Sequence, residues 1–142
     1  METHRYTSRQ FAPVRAAAAG DMSRVYGAAA SADALFLWVF PNLMLNVYPN
    51  NIQTNVIVPL AHDKTLAIFE WYAAAESAAS RNEILRAIEF AEQVQKEDIH
   101  LCETVQKGLQ SASYDRGRYS VKRENGVHHF HALLQEFISE KT

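Results

Sequence analysis

The stretch Leu37-Trp38-Val39-Phe40-Pro41-Asn42-Leu43-Met44-Leu45-Asn46-Val47-Tyr48-Pro49 decides how the chain is read. Pro41-Asn42 divides an apolar, β-branched and aromatic-rich run in two, and Pro49-Asn50-Asn51 closes the second half. Short runs of this composition bounded by proline and asparagine read as strands joined by turns. The same punctuation continues outward, so strands are expected at 34–40, 43–48, 52–58 and 65–72, with 59–64 as the last connector. Four such strands in succession predict an antiparallel meander. Side chains alternate along a strand, which puts Leu43, Leu45 and Val47 on one face of the second strand and Met44, Asn46 and Tyr48 on the other. In the fourth strand Leu66, Ile68, Glu70 and Tyr72 oppose Ala67, Phe69 and Trp71. Both faces carry large side chains, the pattern of a sheet covered on one face with a pocket, a partner or more protein on the other.

Beyond a small-residue linker at 73–80, the longest helical pattern runs over 82–109, with Ser80 or Asn82 as its cap. Its length is about 42 Å at 1.5 Å per residue. Positions 84, 88, 91, 95, 98, 102, 105 and 109 step by fours and threes and share one face; they read Ile, Ile, Ala, Gln, Asp, Cys, Val and Leu. Gln95 and Asp98 interrupt this apolar stripe, and a polar group buried there needs a hydrogen bond, a counter-charge or a metal. A second stripe, Ala87, Phe90, Val94, Leu101 and Val105, rotates Asp98 toward a boundary. Spacing therefore leaves two readings open, a salt-bridged boundary aspartate and a functional carboxylate. Val127, Phe130, Leu134, Phe137 and Ile138 recur at helical spacing and predict a shorter amphipathic helix over 126–140. A sheet followed by helices is an α+β domain.

Residues 1–33 are expected to form a weakly structured cover segment, with 9–14 as an extended edge piece because Pro13 is tolerated at a sheet edge. No repeat or linker divides 34–142, and 142 residues is the size of one domain. Apolar residues at 48% and charged residues at 21% are those of an ordinary globular chain. A net charge of −2 makes no field that attracts nucleic acid or anionic lipid, so neither is an expected partner. Cys102 is the one cysteine, which excludes an internal disulfide and a cluster held by paired cysteines, and fits a reducing cytoplasm. The most apolar run, 34–48, is interrupted by Pro41, Asn42 and Asn46 and is shorter than the ~20 residues of a membrane helix.

Several constellations carry chemistry on paper. Glu97 and His100 have the i, i+3 spacing of di-iron bundles, but that site needs the pair twice with further carboxylates on other helices. His128, His129 and His131, with Glu124 ahead of them, form a dense imidazole group. Helical periodicity sends His128 and His131 to one side and His129 to another, so local packing is expected rather than three convergent ligands. Arg116, Arg118, Lys122 and Arg123 lie near Tyr114 and Tyr119, but Asp115 and Glu124 interrupt the basic strip, which reads as a solvated loop or a subunit contact. Cys102 is expected to be a buried structural thiol, since no base or oxyanion donor accompanies it.

Three segments taken together carry more than spacing does. Residues 37–49, then Gln95-Lys96-Glu97-Asp98-Ile99-His100-Leu101-Cys102-Glu103-Thr104-Val105-Gln106-Lys107-Gly108-Leu109, then Gly117-Arg118-Tyr119-Ser120 with Glu124-Asn125-Gly126-Val127-His128-His129-Phe130-His131 resemble the C-terminal half of the catalytic domain in Rieske-type non-haem iron oxygenase α subunits. The likeness is to the branch with choline and carnitine monooxygenase-like proteins, and it covers about 34–138 in the family's order. It implies a helix-grip (START-like) fold, an antiparallel sheet packed on a long helix, here incomplete. It further implies a mononuclear Fe(II) held by two histidines and one aspartate, with Asp98 of the pair Glu97-Asp98 as the aspartate. An anionic oxygen donor on an apolar face suits a divalent cation. Met44, Asn46, Asn55 and Phe69 lie on strands that the resemblance makes candidate substrate-pocket walls.

The chain also departs from the family pattern. No histidine pair precedes Ala34, where His4 stands alone, and the Cys-x-His and Cys-x-x-His pairs of a Rieske cluster are absent. The resemblance thus implies a piece of a larger oxygenase whose 2Fe-2S cluster and histidine ligands lie in a missing N-terminal part. Such a piece is expected to bind neither group and to be inactive alone. The implied parent hydroxylates or demethylates a small aromatic or quaternary ammonium compound with O₂ and electrons from a ferredoxin or reductase. A non-catalytic module that binds small molecules or assembles as a homo-oligomer is the alternative expectation.

Overall fold

The computed structural model describes residues 1–13, 33–49, 51–73 and 78–139. Six strands form one sheet in the order of the chain: β1 (Glu2–Thr3), β2 (Thr7–Pro13), β3 (Asp33–Val39), β4 (Leu43–Val47), β5 (Ile52–Ala61) and β6 (Lys64–Tyr72). Every neighbouring pair is antiparallel. Helix α1 spans Ala78–Leu109 and α2 spans Asn125–Ser139. These are the elements of an α+β, helix-grip domain. The sheet with α2 forms one compact unit and residues 75–118, which hold α1, form another.

The four expected strands are β3 to β6, and two strands precede them. The extended piece expected at 9–14 is β2; β1 pairs only with its Ser8 and Arg9, so from Gln10 to Pro13 it has β3 alone beside it, the edge position that tolerates Pro13. Glu2 and Arg9, opposite each other in that first pair, form an ion pair at 2.7 Å, and the guanidinium holds the Glu2 carboxyl below the usual carboxylate range. The remainder of the expected N-terminal cover, 14–32, lies outside the described residues. β5 runs on through Pro59 to Ala61 instead of stopping at Val58. The last β4 partner of β5 is Val56, so Pro59 lies where β5 has only β6 beside it; a bulge follows, and the missing N–H is tolerated there. α1 starts at Ala78 rather than 82, so 78–80 belong to the helix and not to the linker.

Register fixes the two faces of the sheet. Ser8, Trp38, Met44, Asn55 and Phe69 follow one another across five strands on one face, with Gln10, Phe36, Asn46, Gln53 and Trp71 in the next row. α2 lies against this face: Trp38 meets the rings of His129 and Phe130 edge-on at 5.7 and 5.6 Å, and Phe137 sits 4.8 Å from Phe40 and 6.2 Å from Tyr6. Leu133, on the same helical side as Phe130 and Phe137, is buried. The opposite face is an apolar field of leucine, isoleucine and valine in which Ile52, Leu66 and Ile68 are exposed. Its one carboxylate on the outer strand, Glu70, accepts hydrogen bonds from Tyr72 Oη at 2.9 Å and Thr54 Oγ1 at 3.3 Å, and the bond from Tyr72 to this carboxylate pushes the Tyr72 phenol up.

Candidate ligand-binding site

All four pocket candidates share the α2 face of the sheet. Met44 pairs with Asn55 and Asn55 with Phe69, while Asn46 pairs with Gln53 one row along. The period-2 alternation of the strands puts them there, but which face receives a helix is decided by α2. Met44 and Asn46 line a cleft of about 420 Å³, together with Ser8, Phe36, Trp38 and Phe130. That volume is in the range of small-molecule sites, and its lining is chiefly apolar with a few polar groups, the usual recipe for binding a small organic ligand. Asn55 and Phe69 are not among its walls.

Polar side chains beside the cleft are unusually buried. Asn51, Gln53 and Asn55 are 4, 5 and 9% exposed. Gln53 donates a long hydrogen bond of 3.4 Å to Asn51 Oδ1. Asn55 Oδ1 and Trp71 Nε1, an acceptor and a donor on adjacent strands, are buried with no hydrogen-bond partner among the described residues. Each such group costs about 1–3 kcal/mol unless something supplies the bond, so a polar guest or a water that reaches them is stabilised there. Asn55→Leu is expected to raise the unfolding free energy by about 1 kcal/mol, read by urea denaturation; a loss of stability would show that Oδ1 already has a partner.

The histidines divide as helical spacing predicts. His129 faces the sheet, where Nδ1 is 2.9 Å from Ser8 Oγ. His128 and His131 turn the other way onto Tyr119, whose Oη lies 2.6 Å from His131 Nδ1. Sequence reasoning did not connect Ser8 or Tyr119 to these histidines, because both pairings are tertiary.

Two expectations for α1 need correction. Asp98 is exposed, not buried on an apolar face, and so are Cys102, Val105 and Leu109 along the same stripe. Cys102 is therefore an exposed thiol rather than a structural one. The first half of the stripe, Ile84, Ile88, Ala91 and Gln95, is half-buried. A repeating apolar pattern states what a helix offers for burial, not what covers it. No three His, Cys, Asp or Glu side chains converge among the described residues. Those residues thus do not fit a two-histidine, one-carboxylate iron centre, and no chemical step is derived through iron here.

Comparison with known proteins adds what geometry leaves open. Residues 4–140 match the family described as ring hydroxylating alpha subunit (catalytic domain). Choline monooxygenase, chloroplastic, from Arabidopsis thaliana is 40% identical over 102 residues, 72% of this chain and 24% of that protein. The carnitine monooxygenase oxygenase subunit of Escherichia coli strain K12 is 34% identical over 120 residues, 76% of this chain and 32% of its own length. Putrescine 2-hydroxylase of Bordetella bronchiseptica is 25% identical over 119 residues, covering 80% of this chain and 28% of that protein. The chain thus spans about a quarter of the length of the curated relatives it matches most strongly. No solved structure matches. With the sheet, the long helix and the C-terminal helix in the order described, this match shows that the chain belongs to the catalytic-domain family of Rieske-type ring-hydroxylating oxygenase α subunits.

Proposed function

We propose that the chain is the C-terminal part of an oxygenase α-subunit catalytic domain whose parent uses O₂ to hydroxylate or demethylate a small aromatic or quaternary ammonium compound. The observation that carries this reading is the family match over 4–140, within which the acidic pair Glu97-Asp98 lies on the long helix. The relatives are named for choline, carnitine and putrescine, all small amine compounds. In the parent, Asp98 supplies the carboxylate ligand of mononuclear Fe(II), and the histidine ligands and the 2Fe-2S cluster come from sequence outside this chain. When bound, that iron supplies O₂ activation. This chain contributes part of the substrate wall: Met44 buries the apolar body and Asn46 orients it by hydrogen bonds, with Asn55 and Phe69 beside the cleft on the same sheet face. A ferredoxin or reductase is the electron donor.

A cytoplasmic location accords with the single cysteine, and no helix among the described residues is long and apolar enough to cross a membrane. The exposed Ile52, Leu66 and Ile68 support association into a homo-oligomer. Alone, the 142-residue chain is expected to hold no stoichiometric iron and to show no single-turnover O₂ consumption. Metal analysis with an oxygen electrode measures both; one iron per chain with turnover would overturn this reading of an incomplete site.

A second reading, a helix-grip module that binds a small molecule without redox chemistry, is favoured by the cleft and by the unpartnered Asn55 Oδ1 and Trp71 Nε1. It predicts calorimetric binding without oxygen uptake.

A further inference from the structure

The charged side chains of the cleft are of one sign. Two charged residues are among its walls, Arg9 and Arg123, and no aspartate or glutamate is among the described residues that line it. Arg9 is neutralised by Glu2 at 2.7 Å. Arg123 makes no ion pair among the described residues and is exposed. The nearest carboxylate in sequence, Glu124, accepts a hydrogen bond from the Ser120 backbone N–H. Gly126 and Val127, in the first turn of α2, lie on the same wall as Arg123 and add N–H partial charge of the same sign. The rings of Phe36 and Trp38 on β3 and of Phe130 on α2 line the same cleft, as does Asn46, the β4 partner of Phe36.

An apolar cleft with one unpaired guanidinium at its wall suits a ligand with an apolar or aromatic body and a single anionic head. A planar carboxylate matches the guanidinium fork. A bare ammonium compound meets like charge and no counter-ion. We infer that this cleft takes small carboxylates, with Arg123 receiving the carboxylate and Phe36, Trp38 and Phe130 the body. This rests on the reading that the α2 face of the sheet receives the small molecule, and it narrows the substrate class to acids, zwitterions included.

The test uses the full chain and three probes of one skeleton: 3-phenylpropionate, 3-phenylpropanol and 3-phenylpropylammonium, titrated by calorimetry with Trp38 fluorescence as a second readout. The acid is expected to bind about tenfold tighter than the alcohol, as a charge-assisted hydrogen bond at a solvent-accessible arginine does, and the ammonium weakest. Arg123→Gln, at an exposed position, is expected to remove the acid's advantage over the alcohol. Equal binding of all three, a preference for the ammonium, or an acid preference that survives R123Q overturns the assignment of Arg123 while leaving the pocket reading intact. Failure of all three probes to bind overturns both.

Discussion

Trp38→Ala is expected to destabilise the sheet-and-α2 unit by about 3 kcal/mol and to loosen α2 from the sheet. Trp38 occupies the centre of that contact, with Phe40 at 6.0 Å, His129 at 5.7 Å and Phe130 at 5.6 Å, all edge-on, the favoured arrangement of aromatic rings. Removing the indole takes away its buried area and all three ring contacts. Because the side chain also walls the cleft, alanine opens the cleft to water and weakens any ligand held there. Trp38→Phe, which keeps an aromatic face, is expected to lose about 1 kcal/mol. Urea denaturation gives the free energies, and near-ultraviolet circular dichroism reports the aromatic packing. A Trp38→Ala protein within 0.5 kcal/mol, roughly the tolerance of a surface change, would remove Trp38 from the seat of α2.

Leu133→Asp is expected to cost about 4 kcal/mol or more, enough to unfold a domain whose total stability is of order 5–15 kcal/mol. Leu133 is 6% exposed, and its helical neighbours Phe130 and Phe137 both touch the sheet, so the new carboxylate would enter an apolar seam whose basic neighbour one turn back, His129, is already bonded to Ser8. Val121→Asp is the control. Val121 is 96% exposed in the turn ahead of α2, and the same chemical change there is expected to stay within about 0.5 kcal/mol. Loss of the cooperative transition in the first variant but not the second, followed by circular dichroism, locates the seam. Equal effects would show that residue 133 is not enclosed.

These two residues also show what local pattern conveys. The spacing of Val127, Phe130, Leu134, Phe137 and Ile138 was sufficient to place a helix over 126–140, within a residue of the observed 125–139. It did not single out Leu133, the most buried member, because the stripe is wide and only the docking angle against Trp38 and Phe40 selects its centre. Prolines and asparagines located the strands of the meander for a similar reason: they act through φ restriction and lost donors within a few residues. β1 and β2 were harder to read, since Glu2–Thr3 and Thr7–Pro13 carry no apolar alternation and are strands because β3 offers an unpaired edge.

The candidate site divides along the same line. Whereas the shared face of Met44, Asn46, Asn55 and Phe69 needed the register between strands, the sequence by itself determined the α+β order of elements, the alternation of faces within each strand, the split of His128 and His131 from His129, and the family. All of these depend on periods of 2 and 3.6 or on motif order. Tertiary structure decided which sheet face receives α2, that a cleft of about 420 Å³ opens there, and that Arg123 stands in its wall while Arg9 is neutralised. It also decided that Asp98 and Cys102 are exposed on a stripe that spacing made look buried. Burial, charge compensation and cavity shape depend on which surfaces meet across the fold, and short-range periodicity holds no information about that.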